Sequence, residues 1–222
     1  MRLRPLVPSD DYSGATPLGG PRHVADDVTG SQCSPDRLTY VSIIFARLDP
    51  TGTDHDALVK FMTGHEFPFH MRPRPRAEDI ETAISEGDYR DEDNDSFWID
   101  HSELGRVGFV RLEDLSEPTP LFDLRLAESF RGRGLGTQVL RELTDHVFST
   151  MSRVNRFEGQ TREDNLPMRK TFLRCGWIKE AHYREAWPVD GGAPVASVGY
   201  GITRHDWETG HVTPFIWEDL GH

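Results

Sequence analysis

The residues that most clearly point to chemistry are Arg131-Gly-Arg-Gly-Leu-Gly136, three glycines at alternate positions ahead of an amphipathic helical pattern. Backbone without Cβ atoms can approach an anion closely, and the first turn of a helix leaves N–H groups with no intrahelical acceptor. With Arg131 and Arg133 adding positive charge, the segment reads as a phosphate cradle. Two familiar phosphate loops do not fit. A P-loop needs a lysine and then Ser or Thr after its last glycine, where this chain has Thr137 and Gln138. The dinucleotide fingerprint places its third glycine one residue later and sits among alternating strands and helices. An ordinary glycine-rich turn is the plain alternative, and the strand and helix on either side argue against it.

Carboxylates and aromatic residues supply further candidates. Glu158 alternates with Gln160 and Arg162, and Asp123 alternates with Arg125, so each set shares one face of its strand. Two neighbouring strand carboxylates would attract a cationic amine and could raise one pKa, although each could equally be a solvated or ion-paired residue. The segment His65-Glu-Phe-Pro-Phe-His70 is aromatic and broken by proline. Its histidines lack a helical metal-ligand spacing, so no metal site is expected. Cys175, before Gly176, reads as a small core residue rather than a nucleophile.

The elements that must position these groups follow from periodicity. Residues 1–37 are rich in Pro, Gly, Asp and Ser and read as an irregular arm. A strand pattern at Tyr40–Phe45 is followed by a short helix carrying Ala57, Leu58, Phe61 and Met62, with Asp54 or Thr53 as its cap and Gly64 at its end. A second helix spans Arg76–Ile84. Strands at Ser96–Ile99 and Arg106–Leu112 form a hairpin, and another strand covers Leu121–Leu126. The clearest helix, Gly136–Met151, sets Val139, Leu140, Leu143, Val147 and Phe148 on one side. A strand at Arg156–Thr161, a helix at Leu166–Arg174 closed by Gly176, and two strands joined through Asp190-Gly-Gly192 complete the order.

Bulk properties narrow the class. Thirty-seven acidic against 25 basic residues give a net charge of -12, which disfavours nucleic acid and anionic membranes as partners. No apolar run approaches the ~20 residues that span a bilayer, and the N-terminus lacks a secretory pattern. The two cysteines, Cys33 and Cys175, lie in unrelated contexts, so a reducing cytoplasm is the expected location.

The loop and its surroundings resemble the GNAT superfamily of acetyltransferases, whose Arg/Gln-x-x-Gly-x-Gly/Ala signature is met by Arg131, Gly134 and Gly136. Asn165-Leu-Pro-Met-Arg-Lys-Thr-Phe-Leu-Arg-Cys-Gly-Trp177 resembles that family's second motif, and the element order fits from Leu38 to Thr203. The pattern is most similar to the branch that includes ribosomal-protein N-terminal acetyltransferases. The resemblance implies an α/β fold over residues 38–222, a mixed, mostly antiparallel sheet of about seven strands flanked by about four helices and splayed between the fourth and fifth strands.

It also implies acetyl-CoA as co-substrate, with Arg131, Gly132, Arg133, Gly134, Leu135, Gly136 and Thr137 on the pyrophosphate. Leu124 and Leu126 would offer main-chain contacts, and Asn165 and Arg169 would touch CoA from the other side. For Asn165 a plain helix cap is an equal alternative. Glu66, Phe67, Phe69 and His70 fall in the region that covers the acceptor in this family. Glu158, through water, is the first choice of base, with Asp123 a second carboxylate. The family's usual tyrosine acid is replaced by Phe172, which leaves Tyr183, a water, or no acid at all. The implied acceptor is a primary amine of a small molecule, peptide or protein N-terminus, and a homodimer is compatible with the reading. A non-catalytic acyl-CoA-binding or sensor module is the alternative.

Overall fold

The computed structural model describes residues 42–189 and 191–217; the arm at 1–37, Tyr40-Val41 of the first strand pattern, and Asp190 lie outside them. In chain order the elements are β1 (Ile43–Arg47), α1 (His55–Gly64), α2 (Ala77–Ser85), β2 (Asp95–His101), β3 (Gly105–Glu113), β4 (Leu121–Leu126), a 3-10 turn (Glu128–Phe130), α3 (Leu135–Thr150), β5 (Arg156–Arg162), α4 (Leu166–Arg174), β6 (Ile178–Trp187), β7 (Val195–Thr203) and α5 (Arg204–Thr209). The result is the mixed α/β architecture expected, with the strands in two hydrogen-bonded groups. One is ordered β1-β2-β3-β4 and the other β5-β7-β6, with every ladder antiparallel.

The first sheet is covered on both faces, which explains why β2 and β3 read as nearly continuous apolar runs. Phe97, Ile99, Val107, Val110 and Leu112 point into one cluster, where α3 contributes Leu135, Val139, Leu140, Leu143, Val147 and Phe148. Trp98 and Phe109 point the opposite way, against Leu58 and Met62 of α1 and Ile80 and Ile84 of α2. Fully burying an aliphatic or aromatic side chain of this kind stabilises by roughly 1.5–3 kcal/mol, so the α3 stripe alone fixes that helix to the sheet.

Between β4 and β5 the ladder is interrupted. The strands meet only where they begin: Pro118 O accepts from Asn155 N at 3.0 Å and Pro120 O accepts from Glu158 N at 3.0 Å. Beyond those bonds the two strands diverge. Gly159 sits at the base of the fork, where an added Cβ would lie 2.6 Å from the Phe172 ring and 2.8 Å from that of Phe122. Only glycine leaves room for both rings at this position.

Three local features differ from the sequence reading. The first strand runs to Arg47, and a further helix, α5, follows β7. Arg204 explains α5: its guanidinium donates to the carbonyls of Phe148, Met151 and Val154, tying the chain after β7 to the end of α3. Asp54 precedes α1 but makes no side-chain cap. Its carboxylate instead accepts from Trp98 Nε1 and Asp49 N, a long-range use that spacing alone does not reveal. Among the described residues no helix is long and apolar enough to cross a membrane, and no group of three or more His, Cys, Asp or Glu is placed to hold a metal ion.

Candidate active site

The glycine-rich loop joins the 3-10 turn to α3. Gly132 and Gly134 have φ of 74° and 83°, in the left-handed region that glycine enters without a Cβ penalty. Gly134 is the residue before α3, which has no side-chain cap and no acidic residue in its first turn. Among the described residues no acceptor meets the amides of Gly132, Arg133, Gly134, Leu135 or Gly136, whereas Thr137 N turns back to Gly134 O at 3.1 Å. Five such donors at the positive end of a 16-residue helix make an environment that favours negative charge.

Arg131 ties this loop to the fork. Its Nε donates to Leu126 O at 2.8 Å, and its guanidinium lies over the Phe67 ring at 5.3 Å. One terminal nitrogen, Nη2, is buried with no partner among the described residues. Burial lowers the Arg131 pKa from the ordinary arginine value, against the opposing pull of Glu128 and Glu66. Ala127 N bonds to Val107 O on β3, so the alternation of an antiparallel strand turns the polar backbone of Leu126 and Leu124 toward the open side of β4. That edge faces the fork and, among the described residues, has no partner beyond the Arg131 contact. A hollow of about 340 Å³ adjoins the loop, lined by His101, Leu104, Phe130, Arg133, Gly134, Leu135 and Gln138.

The segment between α1 and α2 crosses the fork from one strand to the other. His70 Nε2 lies 3.0 Å from Asp123 Oδ1 on β4, while Arg162 on β5 donates to Pro68 O at 3.0 Å and stands over the Phe69 ring at 5.6 Å. Glu66 N donates to Glu128 Oε1 at 2.7 Å, and Arg74 pairs with the Glu66 carboxylate. Phe67, 1% exposed, anchors the segment in the α1–α2 cluster and carries Arg125 over its ring at 4.9 Å. Of the four acceptor-side candidates from the sequence, Glu66, Phe69 and His70 stand at this mouth, whereas Phe67 is a buried anchor.

Asp123 is held by Arg125 through Nε and Nη2, at 3.0 and 2.8 Å. Burial alone would raise its pKa, but the Arg125 and His70 charges and hydrogen bonds hold it well below the usual carboxylate range. Glu158 lies on the same face of β5 as Arg162 but four residues earlier, about 13 Å along the strand. Its carboxylate is paired with Arg156, which also binds Glu180 on β6. Tyr183 does not join the cluster: it is 51% exposed on β6, an edge strand separated from β5 by β7.

On the α4 side, Asn165 does cap its helix, accepting from Met168 N at 3.3 Å, and its amide donates to Thr161 Oγ1. Arg169 donates to Glu163 O and to the Tyr200 hydroxyl. Both are engaged with the protein itself. Phe172 is fully buried and stacked on Tyr200 with centroids 4.6 Å apart and planes at 8°, so its ring is a core element. The sequence reading missed Glu128 and Arg74, whose contacts reach 62 and 8 positions along the chain and leave no periodic signal.

Comparison with known proteins agrees with this geometry. No curated protein matches the sequence. The fold resembles spermidine N-acetyltransferase from Vibrio cholerae, solved in complex with CoA and spermine, with a TM-score of 0.62, 14% identity, and coverage of 75% of this chain and 98% of that one. A dodecameric form of the Vibrio cholerae enzyme in an intermediate state gives a TM-score of 0.60 at 14% identity, covering 74% of this chain and 95% of that one. A chimera of that enzyme with hSSAT gives 0.63 at 15%, covering 75% and 98%. At such identity the likeness concerns the fold. The sequence itself matches the family model of the acetyltransferase (GNAT) domain over residues 44–178, more than half of its length, and the chain belongs to that family.

Proposed function

We propose that the protein transfers an acetyl group from acetyl-CoA to a primary amine, the two substrates meeting in the fork between β4 and β5. The observation that carries this reading is the placement of five unpartnered amides, at Gly132 to Gly136, beside the open edge of β4. The amides and α3 suit a pyrophosphate, as do Arg131 with its unpartnered Nη2 and Arg133. The backbone of Leu124 and Leu126 suits an amide-bearing arm that lies along the strand as an extra partner. The adjoining hollow at His101, Phe130 and Gln138 would take the nucleotide end.

The acceptor would enter beneath the 66–70 segment. Of its carboxylates, Asp123, Glu66 and Asp164 are paired with Arg125, Arg74 and Arg162, and Glu128 accepts from Glu66 N with Arg131 and Arg74 within electrostatic reach. A polycation gains most from carboxylates that have no partner of their own, so this arrangement favours an acceptor with one amine, such as a protein or peptide N-terminus or a small molecule. The N-terminal reading agrees with the branch that the sequence resembles.

Thiol release from acetyl-CoA, followed with N-terminal peptides, small monoamines, spermidine and spermine, tests the proposal. Release with a monoamine or peptide at higher kcat/KM than with either polyamine is expected. Preference for spermidine would overturn the acceptor assignment. Tight CoA binding with no release from any amine would instead identify a non-catalytic acyl-CoA-binding module.

A further inference from the structure

Beyond the donor and acceptor classes, and resting on the acetyltransferase reading, the 66–70 segment carries a group suited to the proton transfer. His70 Nε2 faces a carboxylate that Arg125 grips at two nitrogens. An ionised carboxylate only accepts, so Nε2 carries the hydrogen, and in the neutral ring the lone pair lies on Nδ1. Nδ1 is buried and, among the described residues, has no hydrogen-bond partner. A buried acceptor left without a donor costs about 1–3 kcal/mol, a standing preference for any N–H brought to it.

Everything around the ring fixes it. Phe67 packs edge-to-face on it at 5.6 Å, His70 N closes a turn on Phe67 O at 3.0 Å, and Arg162 holds the preceding carbonyl from β5. The charged groups facing the dyad are Asp123 and Arg125 on β4 and Arg162 on β5; Arg111 on β3 and Tyr89 lie within electrostatic reach of Asp123. Glu66, Arg74, Glu128 and Arg131 complete the rim.

We propose that His70 is the general base of the reaction and Asp123 the positioning residue that fixes its tautomer. The neutral amine nitrogen attacks the thioester carbonyl carbon and a C–N bond forms. Nδ1 takes the proton that nitrogen loses, giving an imidazolium paired with Asp123. The C–S bond then breaks with its electron pair on sulfur. The imidazolium, whose side chain is 27% exposed, gives up its extra proton to solvent as the product leaves, and the thiolate takes one up, so an amine and a thioester become an amide and a thiol. Nothing else is consumed. The proposal also accounts for the absence of a tyrosine at Phe172, because solvent can protonate a thiolate that leaves near neutral pH.

The test compares wild type, His70→Gln, His70→Ala and Asp123→Asn on the best acceptor of the amine panel, across pH, with CoA affinity by calorimetry and cooperative thermal unfolding measured for each. Removal of the base should lower kcat by about 10²–10⁴-fold, with CoA affinity within about twofold of wild type and the acidic limb of the kcat/KM profile, made second order in protons by amine and base together, reduced to the first-order limb of the amine alone. Exogenous imidazole should partly restore His70→Ala. Asp123→Asn should lose less than His70→Gln and retain the acidic limb. Unchanged kcat and an intact limb in His70→Gln would overturn the assignment while leaving the acetyltransferase reading in place. Absence of turnover by wild type overturns both. Independently of activity, long-range ¹⁵N–¹H spectra of the resting protein must show His70 protonated at Nε2; an Nδ1-protonated tautomer would also overturn it.

Discussion

The two sides of the β4–β5 fork are built by different means. The loop side, from Leu124 to Thr137, is one continuous stretch whose functional atoms are backbone amides and carbonyls. The opposite mouth is assembled from side chains that meet across long intervals, 53 residues between His70 and Asp123, 62 between Glu66 and Glu128, and 94 between Pro68 and Arg162. A backbone site depends on conformation, and conformation follows from glycine spacing and helix start. A side-chain site depends on the partners the fold brings in.

The largest effect should therefore come from breaking a conformation. Gly134→Val forces a β-branched residue to φ 83°, where the left-handed region costs an L-residue roughly 1–2 kcal/mol. It also sets methyl groups among the free amides. CoA affinity should fall about 100-fold, close to 2.7 kcal/mol, in calorimetry. The space around a Cβ at 134 is otherwise open, so far-UV circular dichroism should be unchanged. Undiminished affinity would detach the loop from the donor.

This contrast also explains what could be read from the sequence. The strand–loop–helix order and the positions of Gly132, Gly134 and Gly136 are local, so periodicity and spacing located them. The fork was expected from the family resemblance, but the packing at its base, Phe122 and Phe172 meeting over Gly159, spans three separate elements. Asp123 and Glu158 look alike in sequence, each on a strand beside an arginine two residues away. The structure separates them: Arg125 and His70 hold Asp123 at the mouth, whereas Arg156 joins Glu158 to Glu180 of β6. No spacing rule distinguishes a carboxylate that meets a histidine 53 positions away from one that does not.

Titration offers a smaller, sharper test. The Asp123 pKa is depressed in the folded protein relative to about 3.9 in the unfolded chain. The stability it contributes is thus fully present above the unfolded value and disappears as pH falls through the folded one. Asp123→Asn should cost about 1–3 kcal/mol in urea unfolding near pH 7, and the gap to wild type should narrow below about pH 4. The Gly134→Val difference, being conformational, should stay level over the same range. A constant Asp123→Asn gap would mean that the carboxylate charge contributes nothing to holding the mouth.

The smallest effect is expected on the far side of the second sheet. Tyr183 lies on β6, two strand spacings or about 10 Å from β5, and half of its side chain faces solvent. Tyr183→Phe should leave kcat and CoA affinity within about twofold of wild type, since exposed substitutions away from a site rarely exceed ±0.5 kcal/mol. A tenfold fall in kcat would require β6 to approach the departing sulfur, and the fork would then extend beyond β5. With Tyr183 silent and Phe172 committed to its stack on Tyr200, neither position that the sequence reading considered for the acid serves the departing sulfur. The leaving thiolate must then take its proton from water, and the only proton transfer the protein has to arrange is the one at the amine.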